Sequence, residues 1–163
     1  MRDVEIQRKS RLTVFVDADA CPVKEEVLSV CKPYEVDINF VAAYTNTTDR
    51  YPDVTWKWVE PGRDAADLYI LNHLKRHDIV ITEDIGLAAG CLAKHAYVLT
   101  SRGKEITDNE IDSFLETRHL NAKARRSGKY EKGPRKIKDL DKNKFSEALQ
   151  KILSKIEGFQ GPI

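Results

Sequence analysis

Cysteine is scarce in these 163 residues: Cys21, Cys31 and Cys91 only, with no Cys-x-x-Cys pair. An odd number of cysteines in apolar surroundings excludes a disulfide framework and is expected to leave reduced, buried thiols. The chain also lacks the Cys/His spacing of a zinc site. Its four histidines, His73, His77, His95 and His119, are scattered. His73 and His77 stand i, i+4 on one expected helix, but no Glu lies between them in the metalloprotease pattern, so a satisfied helical pair is the better reading. No apolar run approaches the ~20 residues a membrane helix needs, and Met1 to Arg11 is polar rather than signal-like. A cytoplasmic protein with no membrane partner is therefore expected. Internal repeats and low-complexity runs are absent as well.

What is present is ordinary in bulk and uneven in placement. Charged residues make up 33% and hydrophobic ones 41%, in a length that suits one domain with a real core. The net charge of +1 conceals an asymmetry: residues 1–122 carry 15 Lys/Arg against 21 Asp/Glu (net −6), and residues 123–163 carry 12 against 5 (net +7). An acidic body with a basic C-terminal arm suits a metal-dependent enzyme working on a polyanion, although charges must sit somewhere on any surface.

Periodicity alternates between strand and helix. Leu12-Thr-Val-Phe-Val16 reads as a buried strand, and Pro22 suits the first turn of a helix that runs to Cys31, closed by Lys32-Pro33. Val36–Ala43 predicts a second strand and Val54–Val59 a third, with a loop at 46–52 and a stop at Pro61-Gly62. A helix is predicted from Asp64 to about His77, a strand at Ile79–Thr82, a small-residue helix at Ile85–Ala93 and a strand at Tyr97–Leu99. Asp108 opens an amphipathic helix (Ile111, Phe114, Leu115, Arg118) that extends toward Ala124. Residues 123–142 read as a basic, mobile segment, and 143–158, with Phe145, Leu149, Ile152, Leu153 and Ile156, as a closing helix. Alternating β and α implies a single α/β domain with a mostly parallel central sheet flanked by helices, a three-layer sandwich.

Acids recur where such strands end and helices begin. Asp17 and Asp19 follow the first strand, Asp64 and Asp67 open the central helix on one face, and Thr82-Glu83-Asp84 closes a later strand. In a parallel sheet all three places share the carboxyl edge, where ligands bind. Capping is the competing explanation for Asp19, Asp64 and Asp84, and the helix dipole for Asp67. One cap per helix leaves the paired acids unexplained, because neighbouring carboxylates repel unless a cation or proton lies between them. Asp17, Asp19, Asp64, Asp67 and Asp84 are thus candidate ligands for Mg²⁺ or Mn²⁺, with Asp17, Asp64 and Asp84 the catalytic candidates. Lys24 and Arg63 are placed to touch a substrate phosphate, and Thr82 to position a water or a ligand carboxylate.

Three segments, Val16-Asp-Ala-Asp-Ala-Cys-Pro-Val-Lys24, Gly62-Arg-Asp-Ala-Ala-Asp67 and Ile81-Thr-Glu-Asp84-Ile-Gly-Leu-Ala-Ala89, resemble the YaiI/YqxD family of small bacterial proteins. Ser101-Arg-Gly103 and Gly133-Pro134 fit it too. The resemblance covers roughly residues 12–155, with residues 1–11 as an extension. That family is grouped with PIN-like domains, many of them metal-dependent nucleases. The resemblance therefore implies a PIN-like fold and hydrolysis of phosphodiester bonds, RNA before DNA, although nothing in the residues themselves separates the two. It matches Asp17 to the acid after the first strand, Asp64 or Asp67 to the acid opening the central helix, and Asp84 to the Thr/Ser-x-Asp acid. Many PIN-like sites add one more acid soon afterwards. Ile85-Gly86-Leu87 offers none, so Asp19 or Asp67 must complete the set.

Lys123, Arg125, Arg126, Lys129, Lys132, Arg135, Lys136 and Lys138 lie within sixteen residues, opposed only by Glu131 and interrupted by Tyr130. Such a segment suits phosphate contact and base stacking on single-stranded RNA or DNA, with Arg125, Arg126, Lys129, Arg135 and Lys136 as candidate contacts; a solvated loop is the plain alternative. Two other functions fit the same residues. One is nucleic-acid binding without catalysis. The other is a haloacid-dehalogenase-like phosphohydrolase with Asp17 as nucleophile and Asp19 as general acid.

Overall fold

Six strands form one sheet in the order β3-β2-β1-β4-β5-β6. The computed structural model describes residues 11–62, 64–113, 116, 120 and 136–159. The strands are β1 (Leu12–Asp17), β2 (Val36–Ala43), β3 (Thr55–Val59), β4 (Ile79–Ile81), β5 (Tyr97–Leu99) and β6 (Glu105–Ile106). The first five pair in parallel, and β6 returns antiparallel on β5. Helices α1 (Lys24–Cys31), α2 (Ala65–His73), α3 (Ile85–Ala93) and α4 (Asp139–Phe159) flank the sheet, and residues 108–113 are also helical.

Strand alternation sorts the core into two layers. Val14, Val16, Phe40, Ala42, Ile79, Ile81 and Leu99 face one side, with α1 and α4. Phe15, Val41, Val80 and Val98 face the other, with α2 and α3. This period of two, read in neighbouring strands at once, is what a sheet covered on both faces requires. Each fully buried side chain, such as Phe15, Phe40 or Leu149, contributes about 1.5–3 kcal/mol of transfer free energy. The three thiols are free and buried. Among the described residues no helix is long and apolar enough to cross a membrane.

The observed elements depart from the sequence reading at four places. The helix predicted from Asp64 to His77 stops at His73. Leu74 turns extended and buries its side chain, while Asp78, itself buried, accepts from the backbone N–H of Lys75 (2.8 Å) and of Thr13 (3.0 Å). His77, at φ +73°, lies outside the helix, so it shares no helix face with His73, whose Nδ1 bonds the Tyr69 carbonyl at 2.8 Å. Strand β6, two residues long, is too short to show periodicity in the sequence. The closing helix begins at Asp139 rather than 143, because Asp141 reaches back to the Lys138 N–H at 3.0 Å and caps it. Phe114, Leu115, Arg118 and the basic run at 123–135 lie outside the described residues, and of the 1–11 extension only Arg11 is described, paired with Asp37 at 3.4 Å.

Candidate functional site

The chain runs outward from β1 through β2 to β3, then returns across the sheet to β4 on the other side of β1. That reversal places a switch point between β1 and β4, whose carboxyl ends are aligned by the Val16↔Ile81 register. Open α/β sheets bind ligands in the crevice at such a point. Asp17 is the last residue of β1, Thr82-Glu83-Asp84 follows β4, and Asp64 and Asp67 open α2, the helix that makes the return crossing.

Thr82 organises the crevice. Its buried hydroxyl donates to Asp17 Oδ2 at 3.0 Å and accepts the Asp84 N–H at 3.0 Å, so both hydroxyl functions are committed and the Asp17 carboxylate is aimed. Asp84 caps α3, its Oδ1 accepting from the Leu87 N–H at 3.1 Å. Gly86 leaves room for that carboxylate, since a Cβ there would stand 3.2 Å from Asp84 Oδ1.

The acids feel one another. The Asp17 carboxyl is pushed above its ordinary range by burial, then by the charges of Asp84 and Asp19, against the lowering pull of the Thr82 hydroxyl. Asp67 is pushed up to about 6, first by burial and then by Asp84, Asp17 and Asp64. No lysine or arginine among the described residues offsets either of them. Five carboxylates from three distant segments therefore make a negative locus that no cation among the described residues offsets. Such a locus accepts a proton or a cation. An all-oxygen donor set fits Mg²⁺ or Mn²⁺. Among the described residues, no three His, Cys, Asp or Glu groups stand close enough to hold an ion by themselves. Mg²⁺ ordinarily keeps several waters and uses one or two carboxylates, and the donors present suit that mode.

Of the capping explanations, only that for Asp84 matches the contacts. Asp64 makes no side-chain capping bond although it precedes α2. Asp19 turns away from the helix that follows it and accepts from the Ala43 N–H (3.0 Å) and from Asn46 Nδ2 (2.7 Å), pinning the end of β1 to the end of β2. Asn46 was not flagged by the sequence, because an Asn in an Asn-Thr-Thr-Asp stretch reads as loop chemistry. Glu83 also points elsewhere, taking the Ser101 N–H at 3.0 Å.

The expected cations are distributed unevenly. Lys24 folds back so that Nζ donates to the Cys21 carbonyl at 2.9 Å. Arg63, Arg125, Arg126, Lys129 and Arg135 lie outside the described residues. Lys136 is exposed just before α4. The start of α4 is tied to the turn after β5, where Arg102 Nη1 meets buried Asp141 at 2.9 Å. The end of the basic segment is thus delivered to the carboxyl edge that carries the acids.

Comparison with known proteins bears out the family resemblance. The family model described as "Uncharacterized BCR, YaiI/YqxD family" matches residues 15–155. A UPF0178 protein of Bacillus pumilus is 47% identical over 154 residues, covering 94% of this chain and 93% of its own length. One from Bacillus velezensis is 44% identical over 156 residues (95% and 93%), and one from Listeria monocytogenes 38% over 140 (86% and 94%). No solved structure matches the chain. The family model's match over residues 15–155, with relatives up to 47% identical across nearly the whole chain, establishes that the chain belongs to the YaiI/YqxD family.

Proposed function

We propose that this protein is a Mg²⁺- or Mn²⁺-dependent phosphodiesterase that cleaves single-stranded nucleic acid, RNA before DNA. One observation carries the reading: Asp17, Asp67 and Asp84, with Asp64 at the rim, share the switch point, where burial and the neighbouring carboxylates push the Asp17 and Asp67 carboxyls up and no cation among the described residues relieves either. A divalent ion supplies that relief, and when bound it lowers the pKa of water and offsets charge on the leaving oxygen. Asp17 and Asp84 would hold it directly, the first aimed by Thr82 and the second through the oxygen left free by its cap. Asp67, its carboxyl pushed up to about 6 by burial and the neighbouring acids, would hold ion-bound water or take a proton from it. The resemblance to PIN-like nucleases supports the same assignment, as does the basic segment ending at this edge.

The phosphohydrolase alternative loses its general acid, since both oxygens of Asp19 are engaged by Ala43 and Asn46. The test is cleavage of labelled single-stranded RNA and DNA with Mn²⁺, with Mg²⁺ and with chelator. Wild type is expected to cut with metal only, and Asp17→Asn and Asp84→Asn to lose about 100-fold or more, a loss of ~2.7 kcal/mol in transition-state stabilisation. Equal cutting by wild type and Asp17→Asn would expose a contaminant. Binding without turnover in every metal would transfer the protein to the non-catalytic class.

A further inference from the structure

Beside the carboxylate crevice, on the α1 side of Asp19, opens a cleft of about 470 Å³. Asp19 links the two by position: it lines the cleft and stands two residues from Asp17 at the end of β1. The volume falls within the roughly 300–1,000 Å³ of small-molecule sites, and the lining joins aromatic rings to cations.

One wall is aromatic and held in place. Trp56 stacks on Trp58 (centroids 4.7 Å apart, planes 3° apart), meets Phe40 edge-on at 5.0 Å, and donates Nε1–H to the carbonyls of Arg50 and Tyr51. Tyr51 sits at φ +54°, an unusual backbone state for a tyrosine that costs on the order of 1 kcal/mol or more. Its ring makes a T-shaped contact with Phe40 at 5.8 Å, and the Arg50 guanidinium lies 5.1 Å from its centroid. Rings already fixed lose little entropy when a planar ligand stacks on them.

The same lining supplies charge. Lys142, from the first turns of α4, lines the cleft half-buried and pairs with no acid among the described residues. Lys24 lines the cleft as well, its ammonium fixed on the Cys21 carbonyl. Three acids also line the cleft: Asp19 is bound by Ala43 and Asn46, Glu25 faces Arg50 at 3.8 Å, and Glu26 forms no ion pair among the described residues and is the group a bound phosphate must keep clear of. A ligand with one flat aromatic part and one anionic part matches both kinds of lining residue. A neutral planar molecule would leave Lys142 unanswered, and free phosphate would leave the rings unanswered.

We propose that this cleft seats one nucleotide of the bound strand, its base against Tyr51 and Trp56 and its phosphate toward Lys142 and Lys24. The inference deepens the hydrolytic reading and rests on it for the cleft's place, next to the scissile phosphate. The strand then runs from the aromatic wall past Asp19 to Asp17.

Binding in chelator separates the two claims, because the cleft needs no metal. Only two tryptophans occur in the chain, so Trp58→Phe leaves Trp56 as sole reporter. Adenosine 5′-monophosphate is expected to change its fluorescence saturably, inorganic phosphate is not, and Lys142→Gln is expected to weaken the nucleotide about tenfold. Calorimetry of wild type against Lys142→Gln reads the same affinity without altering the stack, should Trp58→Phe fold poorly. With a short oligonucleotide and Mn²⁺, Lys142→Gln is expected to raise KM and spare kcat. Nucleotide binding with no cleavage would overturn the hydrolytic reading and keep the cleft. Cleavage with no saturable nucleotide binding, and with KM indifferent to Lys142→Gln, would overturn the cleft alone.

Discussion

Thr82 and Asp67 carry the most chemistry per atom at the crevice. Thr82→Val keeps the shape of a buried side chain but strands the Asp84 N–H and releases Asp17. Loss of these bonds should cost about 2 kcal/mol in urea unfolding. Because the hydroxyl holds the Asp17 carboxyl down, its loss should also push the acid limb of the pH–activity profile upward. Thr82→Ser should restore both. Asp67 makes a prediction of opposite sign for stability. Its folded value of about 6 exceeds the ordinary 3.8, so folding favours the protonated form. The stability tied to that proton is full below pH 3.8 and is lost as pH rises through about 6. Asp67→Asn should therefore be more stable than wild type by about 1 kcal/mol near pH 8, after allowance for solvent screening, and equal to it below about pH 4. Unfolding curves at the two pH values check it, and saturating Mn²⁺ should erase the advantage.

Among the elements, two glycines separate close packing that can yield from close packing that cannot. A Cβ at Gly90 of α3 would stand 2.9 Å from Leu71 Cδ2 of α2, the far end of a side chain able to rotate. At Gly103, φ +86°, the Cβ would meet the backbone of Lys144 at 2.7 Å, where the turn after β5 lies against α4. Gly90→Ala should cost under about 1.5 kcal/mol, whereas Gly103→Ala should cost about 3 kcal/mol and lower Tm by roughly 6–12 °C. Thermal unfolding of the two variants decides it. The turn at Gly103 matters to the site because Arg102 beside it anchors the start of α4, which carries Lys142.

Across the whole molecule, what could be read from residues was what local periodicity encodes. Val36–Ala43 and Ile85–Ala93 fall where alternation and small-residue spacing placed them. His77 and the start of α4 do not, because Asp78 and Asp141 reverse the chain through side-chain bonds that periodicity does not record. The same limit applies to the crevice. Asp17, Asp67 and Asp84 were visible as acids at element ends, and parallel order was enough to bring those ends to one edge. The diversion of Asp19 to Asn46, and the meeting of Tyr51 and Trp56 with Lys142 of a distant helix, depend on tertiary contacts with no local signature.

The central claim is that the Asp17–Asp67–Asp84 crevice takes up a divalent cation in place of a proton. Calorimetric titration of the wild-type protein with Mn²⁺ at about pH 5 and pH 7, in buffers of different ionisation heat, measures binding and proton release together. Saturable binding is expected, with a proton displaced at the lower pH, little displaced at the higher, and both signals lost in the Asp17→Asn, Asp84→Asn double variant. Absence of Mn²⁺ binding by the folded wild type, or binding left intact in that double variant, would contradict it.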